Sequence, residues 1–121
     1  MEKLKGMTKE ILPKTNISIY KRESSYEGSL DSSIPLFAVT DISWSGNEYI
    51  LFEISYLPLF DVYVVFNYSY KGKLVNSYGA HLGRFEFGSD LRKILKVLKK
   101  GDSATINYIV DSLDEYLENK L

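Results

Sequence analysis

The chain has 121 residues, with 15 Lys and Arg against 16 Asp and Glu for a formal net charge of -1, and it contains no cysteine. That balance gives no global electrostatic reason to bind nucleic acid. The lack of cysteine excludes a disulfide scaffold, a thiolate metal site and a Cys nucleophile.

Met1–Leu12 places Leu4, Met7 and Ile11 at helical spacing and predicts an N-terminal helix that Pro13 ends. Asn16–Glu23 alternates Ile17 and Ile19 with Ser18 and Tyr20, and reads as a short strand near a sheet edge. Ser24–Ser33 is polar and Ser-rich, and reads as a solvated connector.

Leu36–Tyr78 organises the rest and reads as an antiparallel meander. Ser45-Gly46-Asn47 and Lys71-Gly72 suit tight hairpins, because Gly and Asn accept positive φ at little cost. Pro58 cannot donate to a ladder, so Leu57–Phe60 is a longer turn. A three-residue loop at Ser45–Asn47 sets Ile42 opposite Ile50, Thr40 opposite Phe52 and Ala38 opposite Ile54. The second turn pairs Tyr68 with Val75 and Val65 with Tyr78. The core face is then Leu36, Ala38, Ile42, Ile50, Phe52, Ile54, Val62, Val64, Phe66 and Val75.

After Tyr78, Gly79–Gly83 interrupts the pattern, and Arg84–Phe87 reads as a fifth strand. Ser89 caps a helix to Lys100 with Leu91, Ile94, Leu95 and Leu98 on one face, and Gly101 stops it. Asp102 or Ser103 caps a last helix with Ile106, Ile109, Val110, Leu113 and Leu117 on its stripe. The first helix carries Arg92, Lys93, Lys96, Lys99 and Lys100 against Asp90. The second carries Asp102, Asp111, Asp114, Glu115 and Glu118 against Lys120. Their opposite charges suit a pair with complementary rims. The expected fold is a single α+β domain over 1–121: a two-layer sandwich with a meander sheet of about five strands, one N-terminal helix and two C-terminal helices. Its element order is similar to that of several unrelated small folds, frataxin-like and bacterial immunity proteins among them, and this implies no function. The N-terminal segment lacks the dense acidic run on which frataxin-like iron binding depends.

Motifs for catalysis are missing. His81 is the one histidine, without the spaced partners of a metal site. Gly83 and Gly88-Ser89 lack the Lys of a phosphate loop, and no Ser sits in a nucleophile elbow. Asp41 and Glu53, meeting across the first hairpin, read as surface carboxylates rather than an acid–base pair. The expectation is therefore no enzyme, no cofactor and no metal. No apolar run approaches the ~20 residues of a membrane span, and Met1–Glu10 has no apolar core of a secretory signal, so a cytoplasmic protein is expected.

The leading functional expectation is a non-catalytic protein-binding module. An inhibitor or immunity-type protein that blocks a larger partner through its second sheet face is a concrete form. That face reads Val39, Tyr49, Leu51, Tyr63, Val65 and Tyr78, interleaved with Asp41, Glu53, Asn67 and Asn76, which is too apolar for solvent. Tyr49, Tyr63 and Tyr78 would anchor, Leu51 and Val65 would fill between them, and Glu53 and Asn67 would supply polar specificity. One alternative is nucleic-acid binding through the basic helix 89–100 and the sheet tyrosines. The other is a small-ligand carrier or enzyme with a pocket between sheet and helices.

Overall fold

A computed structural model describes residues 4–23, 32–69, 71–80, 91–92, 95 and 102–120, with the backbone alone for Tyr78, Ala80 and Lys120. The chain divides into two compact units, Met1–His81 and Leu82–Leu121.

The first unit is a six-stranded antiparallel meander in which every strand lies beside its sequence neighbours. Its strands are β1 (Thr8–Ile11), β2 (Ser18–Lys21), β3 (Ile34–Ile42), β4 (Glu48–Leu57), β5 (Val62–Tyr68) and β6 (Leu74–Ala80). β3 to β5 are rich in β-branched and aromatic side chains, which fit a pleated, half-buried surface.

The expected N-terminal helix is instead a turn followed by an edge strand. Gly6 adopts φ +85°, which breaks a helix, and Thr8–Ile11 pairs with Ser18–Lys21. A 12-residue helix with an internal glycine is marginal in water, whereas an edge strand gains a ladder. Leu4 and Met7 still serve a core, packing on Tyr20, Ala38 and Ile50, while Ile11 is 61% exposed. With β1 outside it, β2 is not at the edge, and the described residues form six strands where about five were expected.

The first hairpin has the expected loop length, placed one residue earlier. Ser43 N–H donates to the Asn47 carbonyl at 2.8 Å, and Gly46 N–H donates to the Ser43 carbonyl at 2.8 Å. Trp44, Ser45 and Gly46 are thus the loop, with Gly46 at φ +93°. Thr40 consequently faces Ile50, and Ile42 faces Glu48.

Two bulges then decide which side chains are buried. The extra residues are Leu36 on β3 and Leu51 on β4, so Val39 faces Phe52 and Phe37 faces Ile54. An extra residue flips the alternation beyond it. One face therefore carries Phe37, Val39, Phe52, Ile54 and Val65, all fully buried. The other carries Tyr20, Ala38, Ile50, Glu53, Ser55 and Val64, also buried. The single core face of the sequence reading is corrected accordingly: Ile42 is 40% and Val75 66% exposed, and the buried apolar side chains are divided between two faces. Val75 is the extra residue of a third irregularity, so Tyr68 faces Leu74, while Val65 does face Tyr78.

In the second unit, α1 (Ser103–Lys120) begins at Asp102 as expected. The Asp102 carboxylate accepts from Ala104 N–H at 3.1 Å and Thr105 N–H at 3.3 Å, and also from the Thr105 hydroxyl. These bonds, the Thr105 hydroxyl first, hold its carboxyl below the usual range. Ile106, Ile109, Val110, Leu113, Tyr116 and Leu117 form its buried stripe. Leu91, Arg92 and Leu95 are helical, and the two leucines are buried. The rest of the basic helix, the expected strand Arg84–Phe87, His81, the glycines Gly83 and Gly88, and most of the 24–33 connector lie outside the described residues.

Candidate binding site at the hairpin end

The turns β3–β4 and β5–β6 stand at the same end of the sheet, because the chain runs out along β4 and back along β5 between them. They are built alike. Ser69 N–H donates to the Lys73 carbonyl at 2.9 Å, and Gly72 N–H to the Ser69 carbonyl at 2.8 Å, with Gly72 at φ +79°. Both turns begin with Ser and place Gly three residues later, where positive φ is required. The Ser43 hydroxyl accepts from Asn47 N–H at 3.2 Å and lies 2.8 Å from the Ser45 hydroxyl, which stiffens the first turn.

Between the turns lies a cleft of about 320 Å³. Ser43, Trp44, Ser45 and Asn47 line it from the first turn, Glu48 and Tyr49 from the start of β4, and Lys71 from the second turn. Trp44 is the one tryptophan of the chain and is 97% exposed. Tyr49 is half-buried opposite Asp41; burial, and then the Asp41 charge, raise its phenol above the ordinary value and keep it protonated.

Glu48 is held from behind by three other strands. Its Oε2 accepts from the Thr40 hydroxyl of β3 at 2.7 Å and from the Tyr20 hydroxyl of β2 at 2.7 Å. The Lys9 ammonium of β1 lies 3.7 Å away and sits over the Tyr20 ring at 5.4 Å. Burial works against the Glu48 charge, but the Thr40 and Tyr20 hydroxyls and Lys9 outweigh it and hold the carboxyl below the usual range. The cleft thus combines an exposed aromatic plane, a fixed carboxylate, an ammonium and several hydroxyl and amide groups. That set suits binding by stacking, charge and hydrogen bonding. Among the described residues, no group of three or more His, Asp or Glu side chains has the geometry to hold a metal ion.

The seven residues expected on one sheet face do not share one. Tyr63, Val65 and Asn67 lie on the face of Phe52, opposite Tyr56, Ile54 and Phe52 respectively. Tyr49, before the Leu51 bulge, lies on that same side, opposite Asp41, and Tyr78 takes the position facing Val65. Glu53 lies on the other face between Ala38 and Phe66, and Leu51 is the bulge itself. Leu51, Glu53 and Val65 are buried, Glu53 accepting from the Ser55 hydroxyl at 2.9 Å. Tyr63 is half-buried, with its ring 5.1 Å from that of Tyr56. Asp41 and Glu53 do not meet, because the Leu51 bulge sends them to opposite faces. Trp44, Glu48 and Lys71 escaped the sequence reading, although Ser-Trp-Ser-Gly-Asn was a usable signal: an aromatic residue in a tight turn has little on which to pack.

Comparison with known proteins finds no matching family model, no matching curated protein and no matching solved structure. Among the described residues, no helix is long and apolar enough to cross a membrane.

Proposed function

We propose that this chain is a non-catalytic protein-binding module that engages another protein through the hairpin end of its sheet. One observation carries the reading: its single tryptophan is 97% exposed at a turn tip, beside a polar cleft. Scattered exposed aliphatics need no explanation, but Trp contributes disproportionately to interfaces. Both turns are stiffened by serine side chains, so little ordering entropy opposes binding. The Tyr49 ring extends the aromatic surface, while Glu48 and Lys71 supply charges of both signs for orientation. An inhibitor or immunity-type protein acting in the cytoplasm is a concrete form of the same reading. Of the sheet-face residues, Tyr49 stays in it because it lines the cleft.

The test uses the whole chain as bait in three forms: wild type, Trp44→Ala and Phe60→Ala. Phe60 is 72% exposed in the β4–β5 turn, at the opposite end of the sheet, and serves as the control. A captured protein should be lost at least about tenfold with Trp44→Ala, as truncation of a hot spot does, and kept with Phe60→Ala. Equal capture by wild type and Trp44→Ala would remove the hairpin end as the contact.

A further inference from the structure

We infer that β6 is a dimerisation edge, pairing antiparallel with β6 of a second copy of this chain about a twofold axis through Ser77. Among the described residues, the sheet ends at β1 on one side and β6 on the other. A free edge presents unpaired N–H and C=O groups, and proteins usually blunt it by shortness, charge or proline. β1 is blunted in this way: it has four residues and carries Lys9 and Glu10. β6 is not. It has seven residues, Leu74–Ala80, without a charge or a proline. Leu74 is 52% and Val75 66% exposed, and Asn76, Ser77 and Gly79 are exposed as well. Its one irregularity is at Val75, near the start, which leaves Asn76–Ala80 in regular pairing with β5.

Three features favour a second copy as the occupant. An uncharged strand does not repel itself. A twofold axis through Ser77 sets Asn76 against Tyr78, and exposed Val75 against Gly79, where the missing side chain leaves room. The charges at the two ends of the strand also differ in sign. Lys73 precedes β6, whereas Asp61 lies in the β4–β5 turn at the far end of neighbouring β5. Antiparallel pairing brings the lysine end of each copy towards the Asp61 end of the other, twice by symmetry. Parallel pairing would set lysine end beside lysine end. At ~3.3 Å per residue the shared edge is only about 23 Å long, a contact of one strand with one strand, so the dimer is weak and concentration-dependent.

Sedimentation velocity over a concentration series tests this on the whole chain. The samples are wild type, Ser77→Lys, Ser77→Glu, and the two variants mixed in equal amounts. Ser77 is exposed, so both variants should fold, which circular dichroism checks. Wild type should shift from monomer towards dimer with concentration. Each variant alone sets like charges directly across the axis and should raise the dissociation constant at least about tenfold. The mixture sets Lys against Glu and should recover the dimer. Trp44→Ala should dimerise as wild type does, which separates this edge from the hairpin end. A wild type that stays monomeric throughout, variants that dimerise unchanged, or a mixture that recovers nothing would each overturn the assignment.

Discussion

Replacing Glu48 should uncouple the first four strands. Its Oε2 gathers the Thr40 and Tyr20 hydroxyls, both at 2.7 Å, with Lys9 at 3.7 Å. The side chain of Glu48 is 27% exposed and that of Lys9 43%, so the ion pair itself contributes little, about 0–1 kcal/mol. The hydroxyl bonds matter more, because Thr40 is fully buried. Glu48→Ala leaves that hydroxyl without its acceptor at about 1–3 kcal/mol, and loses a charge-assisted bond from Tyr20 as well, for a total of roughly 2–4 kcal/mol. Glu48→Gln keeps a carbonyl acceptor and should cost about 1–2 kcal/mol, the difference being the charge.

The assay is urea denaturation of wild type and Glu48→Gln over a pH series. The Glu48 carboxyl titrates lower in the folded chain than its ordinary value of 4.5. A depressed carboxyl contributes stability that is fully present above the unfolded value and is lost as pH falls through the folded one. The gap between wild type and Glu48→Gln should therefore be constant near neutrality and close below about pH 4. A gap that is flat from about pH 3 to 7, or below ~0.5 kcal/mol at neutrality, would show that the charge does not tie these strands.

Two more outcomes follow from the same sheet. Phe52 is fully buried, so Phe52→Ala should cost about 3–5 kcal/mol in chemical denaturation, and a loss below ~1 kcal/mol would contradict its place in the core. Gly46→Ala should cost about 1–2 kcal/mol through backbone strain alone, because φ is +93° and an added Cβ would meet nothing within 4 Å; an unchanged denaturation midpoint would refute the turn geometry.

Much of the meander was legible in the sequence because its signals are local. Gly46 and Gly72 mark turns that need positive φ, Pro58 forces a longer connection, and Asp102 caps the last helix through the N–H groups two and three residues on. The N-terminus misled because Leu4, Met7 and Ile11 fit a helical stripe. Helical spacing says which residues coincide on one face of a helix, and says nothing of a turn at Gly6 that lets two of them reach the same core.

The seven residues expected on one sheet face are divided for a reason that lies largely outside local sequence. Alternation assigns every residue of a strand to a face once one residue is assigned, so a single bulge reverses everything beyond it. Leu51 has no local mark of a bulge, being an apolar residue in an apolar strand, whereas Leu36 follows Pro35, a residue that sheets admit at bulges. What selects them is the burial they permit. With Leu51 as the extra residue, Val39 meets Phe52 and Phe37 meets Ile54, all four fully buried, while Ile50 stays on the side of Tyr20 and Ala38. Without the Leu51 bulge, Phe52 would face Ala38, and Val39 would lie on the other side. The same exchange buries Glu53, Leu51 and Val65, residues which uninterrupted alternation assigns to an open face. Under the proposed function, the surface left for recognition is set by what the two bulged faces do not bury. On the hairpin end that is a turn tip, Trp44, which alternation along the strands does not address.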